Sequence, residues 1–190
     1  MNRICVSVIV ILLSSFASAG KVTGTVKAGS PSAVVLEPVP GKSFPASGQT
    51  ATIDQRALKF TPSLLVIQQG TTVEFRNNDT VSHNIFWPSI SGNKKLGRNL
   101  GTASNGQSQK FKFDTPGMVQ ILCNIHPEMS TSIVISPSPY FAQTDGAGNY
   151  SINDVPDGEY KATAWHGGKA ATQTITVKGD TKADFAAAGK

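Results

Sequence analysis

The sequence predicts an all-β protein, and three observations predict it. No window of ten or more residues keeps a helical period without a glycine, a proline or a β-branched interruption. Short runs rich in Val, Ile, Thr and aromatic residues recur along the chain instead. Turn-forming pairs separate them: Gln69-Gly70, Asn105-Gly106, Pro116-Gly117, Asp145-Gly146, Asp157-Gly158 and Gly179-Asp180. Many short strands with frequent turns suggest sandwiches or partly closed barrels.

Thirteen strands follow in order. Val22–Lys27 and Ala33–Glu37 come first, then Ala51–Gln55, Leu64–Gln68, Thr71–Arg76 and His83–Trp87. After a long gap come Gln107–Phe113, Met118–Leu122 and Thr131–Ile135, and finally Tyr140–Thr144, Asn149–Ile152, Glu159–Trp165 and Ala171–Val177. Alternation assigns faces in several of them. Val73 and Phe75 share one side with Glu74 and Arg76 opposite; Phe111 and Phe113 share one with Lys110 and Lys112 opposite. The Gly/Pro/Ser-rich stretch 41–49 and the stiff Ser136-Pro137-Ser138-Pro139 joint mark two boundaries. The expected division is a leader at 1–19, N-terminal strands at 20–40, a β-barrel or sandwich at 50–136 and a smaller β-unit at 139–185.

The first 19 residues follow the plan of a secretory signal peptide. Arg3 supplies the positive start, Ile4 to Leu13 is apolar but for Ser7, and Ala17-Ser18-Ala19 is a small-residue cleavage site. The apolar run is short for a bilayer span and no second one follows, so no integral membrane segment is expected after cleavage. The mature chain is expected in the periplasm or otherwise secreted, as a monomer. Cleavage lowers the formal charge from +5 to +4 by removing Arg3. The remaining basic residues are dispersed, with Lys94-Lys95 their only adjacent pair, which argues against a nucleic-acid-binding face.

Of two cysteines, Cys5 leaves with the leader and Cys123 stays, so no internal disulfide can form. A lone thiol in an oxidising compartment must be buried or bound to something. Its surroundings are informative. Cys123-Asn124-Ile125-His126-Pro127-Glu128-Met129 puts a thiolate, an imidazole and a thioether within seven residues, and His83 opens a strand 40 residues upstream. Two imidazoles, one thiolate and a weak thioether are the donor set of a type 1 copper site, which favours one ion cycling between Cu(I) and Cu(II). A tight loop between adjacent strands can bring Cys123, His126 and Met129 around one point, with His83 arriving from another strand. Met118, five residues before the cysteine on an extended segment, points elsewhere. Zinc could be held by two histidines, one cysteine and water. A Cys–His nucleophile is a further alternative, although no motif supplies an oxyanion pocket.

Thr72–Trp87 (TVEFRNNDTVSHNIFW) and Phe113–Met129 (FDTPGMVQILCNIHPEM) resemble the two halves of a cupredoxin copper site, the family of plastocyanin, amicyanin and pseudoazurin. The Cys-x-x-His-x-x-Met spacing with proline after the histidine is most similar to amicyanin. The resemblance implies a Greek-key β-sandwich or barrel with His83, Cys123 and His126 as equatorial ligands and Met129 as the weak axial one. It also implies that Asn84 ties its strand to the ligand loop through Asn124, and that His126 is the electron port. Tyrosines frequent before the family's cysteine are replaced here by Val119, Gln120, Ile121 and Leu122. The whole chain also resembles exported proteins labelled methylamine utilisation proteins, a family label that specifies no substrate here.

The remaining segments carry a second resemblance. Tyr140–Trp165 is similar to the second half of a carboxypeptidase regulatory-like, transthyretin-like β-sandwich. Gly24-Thr25-Val26 and Ala33–Pro38 fit the first half. The expectation is one small sandwich split by the inserted copper domain. Trp165-His166 reads as a packed tryptophan with a surface histidine.

The function expected is that of an exported, non-enzymatic copper protein. It would carry single electrons between redox proteins such as a cytochrome, an oxidase or a dehydrogenase. Copper storage or delivery, and a structural sandwich with a degenerate site, are the alternatives. The polar stretch Pro88–Gln107, with Lys94, Lys95 and Arg98, is either a docking surface for an acidic partner or a solvated loop.

Overall fold

Sixteen strands and one 3-10 turn (Lys94–Leu96) make up the computed structural model, which describes residues 18–39 and 41–186. In chain order they are β1 (Ala19–Thr25), β2 (Ala33–Val39), β3 (Thr50–Arg56), β4 (Lys59–Thr61), β5 (Leu64–Gln68) and β6 (Thr71–Asn77). Next come β7 (His83–Trp87), β8 (Arg98–Ala103), β9 (Ser108–Phe113), β10 (Gly117–Leu122) and β11 (Ser130–Ser136). The last five are β12 (Phe141–Gln143), β13 (Asn149–Pro156), β14 (Gly158–His166), β15 (Lys169–Val177) and β16 (Thr181–Lys182). The leader expected at 1–19 lies almost wholly outside the described residues. Among those described, no helix is long and apolar enough to cross a membrane.

β3 to β11 form two sheets. One runs β4-β3-β6-β9 and the other β5-β11-β10-β7-β8. Apolar residues of the two sheets face each other between them: Ile53, Val73, Phe75 and Phe113 on one side, Ile85, Val119, Ile121 and Ile133 on the other, each fully buried. Trp87 closes one end of this core, packed on Phe111 and Phe113 at centroid distances of 4.8 and 5.4 Å, with its indole N–H donated to the Leu96 carbonyl at 3.0 Å. The stretch 88–107 is therefore not one long loop. It contains the 3-10 turn and then β8, which pairs antiparallel with β7 from Trp87↔Arg98 to His83↔Ala103.

Strands from both ends of the chain share the other two sheets. β1 lies between β13 and β16, and β2 lies between β12 and β14, with β15 at the outer edge. Gly24 of β1 is required by close approach: a Cβ there would overlap the Ala183 carbonyl oxygen. β2 explains its own unalternating run Ala33-Val34-Val35-Leu36. Val34 and Leu36 enter the core between the two small sheets, beside Val22, Tyr150, Ile152 and Tyr160. Ala33 and Val35 face the opposite way, onto Leu64 and Val134 of β5 and β11. A strand covered on both faces needs apolar residues at every position. Met118, Phe141 and Trp165 pack against this shared layer, so the small sheets cover part of the outer face of β5, β11 and β10.

The joint at 136–139 is pinned into this arrangement. Ser136 and Ser138 are fully buried. The Ser138 hydroxyl donates to the Leu36 carbonyl and accepts from the Tyr140 N–H at 3.1 Å, while the Ser136 hydroxyl donates to the Ser138 carbonyl at 2.6 Å. These bonds satisfy backbone groups that proline leaves without a ladder partner.

Candidate metal centre

His83, Cys123 and His126 meet at one end of the larger sandwich. Their ligand atoms all lie within 4.8 Å of one another, and this is the one such cluster among the described residues. Each arrives for a local reason. His83 opens β7 and is fully buried. Cys123 follows β10 directly, and the inward alternation of Val119 and Ile121 sends its side chain into the same core at 3% exposure. The loop from Cys123 to Met129 closes on itself. The Met129 N–H donates to the His126 carbonyl at 3.0 Å, and the Cys123 N–H to the Met129 carbonyl at 3.3 Å. That closure returns Met129 to the core cluster that holds Cys123. His126 is half-buried, and Asn124, Ile125, Pro127 and Glu128 are exposed.

The distances define what the cluster can bind. His83 Nδ1 and His126 Nδ1 are 3.1 Å apart, and Cys123 Sγ is 3.9 Å from His126 Nδ1. First-row ions such as zinc bond imidazole nitrogen at about 2.0–2.1 Å and thiolate sulfur at about 2.3 Å, so one ion can span these separations. A soft thiolate with two imidazoles, nearly closed to water, suits copper. The Asn84 backbone N–H donates to Cys123 Sγ at 3.4 Å, which stabilises negative charge on the sulfur.

The side chain of Asn84 does something other than expected. Its amide donates to Asn99 Oδ1 at 3.0 Å and to the Gly101 carbonyl at 2.9 Å, tying β7 to β8. The tie to the ligand loop is made by its backbone N–H instead, because the exposed Asn124 lies on the solvent side of the loop. His166 is likewise placed away from the cluster, with Nδ1 3.1 Å from the Ser32 hydroxyl and 3.2 Å from the Pro31 carbonyl.

Sequence reasoning missed Asp79. Its Oδ2 lies 3.0 Å from His83 Nε2, the ring nitrogen turned away from the cluster. The same oxygen accepts the Leu58 N–H at 2.8 Å, and Oδ1 accepts the Thr80 N–H at 2.8 Å. The Leu58 N–H, then His83 and Thr80, hold this carboxyl down to about 2 against the opposing effect of burial. Asn77-Asn78-Asp79 reads as a turn, and the one available signal is an acidic residue four positions before a strand histidine.

Two family models match parts of this chain. A family model described as copper binding proteins, plastocyanin/azurin family, matches residues 48–136. A second, described as polysaccharide lyase family 4, domain II, matches residues 129–184. The chain is 35% identical over 78 residues to a plastocyanin of Scenedesmus fuscus, covering 38% of this chain and 80% of that one. It is 30% identical over 78 residues to amicyanin-alpha of Methylorubrum extorquens, covering 41% of this chain and 65%, just under two thirds, of that one. Among solved structures it is similar to a purple cupredoxin from Nitrosopumilus maritimus, at 26% identity and a TM-score of 0.41, covering 45% of this chain and 99% of that one.

Proposed function

We propose that this chain, which belongs to the plastocyanin/azurin family of copper-binding proteins, holds one copper ion and carries single electrons between redox proteins outside the cytoplasm. His83, Cys123 and His126 would hold the ion, with Met129 as a weak fourth donor. Copper bound there would supply a one-electron Cu(II)/Cu(I) couple. The observation that carries the reading is the convergence of two imidazoles, with Nδ1 atoms 3.1 Å apart, and one cysteine sulfur, their ligand atoms all within 4.8 Å, at the buried end of a β-sandwich.

The chain's own residues supply the rest. His83 and Cys123 leave water little access, and the loop hydrogen bonds hold Met129 against Cys123. A scaffold that fixes its donors before the ion changes charge keeps rearrangement small. His126 reaches towards solvent from the loop. Four large apolar side chains are at least 40% exposed among the described residues. Three of them are Ile125 in the ligand loop, Val81 two residues before His83, and Leu58 in the β3–β4 turn whose N–H bonds Asp79. An apolar rim around a half-buried ligand suits brief docking of a cytochrome, an oxidase or a dehydrogenase. Residues 1–19 would direct export.

Optical and spin-resonance spectra of the Cu(II)-loaded protein test the proposal. Intense visible charge transfer from Cys123 and a narrow copper hyperfine splitting are expected, followed by reversible one-electron reduction without loss of metal. Cys123→Ser should lose the colour even where copper still binds. A colourless Cu(II) complex of the unsubstituted protein refutes the reading. Release of copper on reduction would favour storage or delivery.

A further inference from the structure

We infer that Asp79 is a positioning residue of the metal centre, fixing the tautomer and orientation of His83 so that its Nδ1 lone pair faces Cys123 and His126. The inference deepens the copper reading above and rests on it for the identity of the ion. A carboxylate only accepts hydrogen bonds, so the 3.0 Å contact requires a proton on His83 Nε2. A neutral imidazole with Nε2–H carries its free lone pair on Nδ1, the atom 3.1 Å from His126 Nδ1. In the metal-free chain His126 Nδ1 is then the donor of that bond. Protons are thus ordered from Asp79 through His83 to His126. His83 stands ready as a donor atom, whereas His126 must free its Nδ1 of a proton and Cys123 must bind as the thiolate.

Asp79 can impose this order because it is itself immobilised. Besides the Leu58 and Thr80 N–H groups on its carboxylate, its own N–H donates to Asn77 Oδ1 at 2.9 Å, and its carbonyl accepts from the Asn105 side chain. The Leu58 bond comes from an unusual turn. β3 and β4 are joined by the two-residue turn Ala57-Leu58, with φ of 51° and 58°. That is the left-handed region which such hairpins normally fill with Asn-Gly. A leucine held there is strained. The turn places its N–H on Asp79 Oδ2 and its side chain in the exposed apolar rim. Strain retained at a site is consistent with a positional role. Carboxylate partners of metal-binding histidines orient the ring and raise its basicity.

The test separates this role from simple support of the fold. In the metal-free protein, nitrogen NMR of the His83 ring should show Nε2 protonated and Nδ1 bare. Asp79→Ala should mix or invert the two. Asp79→Asn, whose side-chain oxygen still accepts from Nε2–H, should keep the tautomer while removing the charge. With Cu(II), Asp79→Ala should bind about 10- to 100-fold more weakly. Asp79→Asn should raise the reduction potential, because the higher charge of Cu(II) loses a nearby anion. An unchanged tautomer in a folded Asp79→Ala protein overturns the inference, as does an unchanged potential in Asp79→Asn, which also serves if the alanine variant does not fold. A protein that binds no copper yet shows the expected tautomers refutes the copper reading and leaves the Asp79–His83 arrangement standing.

Discussion

Leu36→Ala tests whether strands from the two ends of the chain close a core separate from the one beneath the metal centre. Leu36 is fully buried in β2, between β12 and β14, and points at Tyr150, Ile152 and Tyr160 of the small sandwich. Truncating a buried leucine costs about 2–5 kcal/mol, more where the cavity cannot collapse. β2 is held by strands on both sides and by packed layers above and below, so collapse is restricted and about 3–5 kcal/mol is expected. At about 1.4 kcal/mol per decade, amides that exchange through opening of this unit should accelerate by about 150- to 4,000-fold. Hydrogen exchange resolved by residue is the assay. Amides of β14 between Tyr160 and Ala164 should show the full increase, and those of β6 and β10 little. Ile133→Ala, at an equally buried position in the other core, should give the opposite pattern. Equal acceleration in both units would refute the reasoning. It would mean that the layer of Ala33, Val35, Leu64 and Val134 couples them into one cooperative block.

Three further outcomes are expected. Met129→Leu should keep the colour of the copper-loaded protein and raise its reduction potential, since loss of a weak donor disfavours the more charged ion; an unchanged potential makes Met129 a packing residue. Tyr150 donates its hydroxyl to the Ala183 carbonyl, and burial, with a smaller effect of Asp184, pushes its ionisation well above the usual tyrosine value. The unfolded chain loses that proton near pH 10 and the folded chain keeps it. The contribution is therefore complete below about pH 10 and lost as pH rises towards the folded value. Tyr150→Phe should flatten the alkaline fall in stability measured by denaturant titration, and an unaltered slope would contradict the assignment. Ile125→Asp should slow electron transfer to a protein partner by about tenfold, as expected for one contact near the middle of a small interface. Lys94→Glu with Lys95→Glu should slow it less; the reverse order would move the docking face to the 3-10 turn.

The legible parts of this chain are those where chemistry is local. Thiolate, imidazole and thioether are scarce in the sequence, so their spacing in Cys123–Met129 carries information that a single histidine would not. The long strands were legible because one buried face imposes a period of two, as in Val73 and Phe75. The misses have physical causes. β4 has three residues and one buried side chain, and β16 has two. β8 is an edge strand with a single buried residue, Ala103, and is broken by Gly101 at φ 88°. Its backbone pairs with β7, but its side chains bury too little to leave a pattern. Asp79 was hidden for another reason. Its partner Leu58 lies 21 residues earlier, in a turn whose left-handed backbone nothing in Ala57-Leu58 announces.

The separation of the two ends of β7 bears on how a partner would meet this protein. β7 starts at His83 and ends at Trp87, and four strand steps span about 13 Å. Arg98 pairs with Trp87, so it lies at the far end of the strand, with Lys94 and Lys95 in the turn just before it. The charge that appeared in the sequence to lie between two halves of one site is thus displaced from it by more than a screening length, about 8 Å at physiological ionic strength. The small sandwich also packs towards that half, against Met118 and Val134, while the loops of His126, Leu58 and Val81 project from the other. A partner approaching His126 meets apolar side chains first, and removing water from them depends little on salt. The distant lysines can bias the long-range encounter but cannot align the contact. For the electron carrier proposed above, this arrangement would favour short-lived complexes set by the shape of the apolar rim, as a carrier that leaves one partner to reach the next would need.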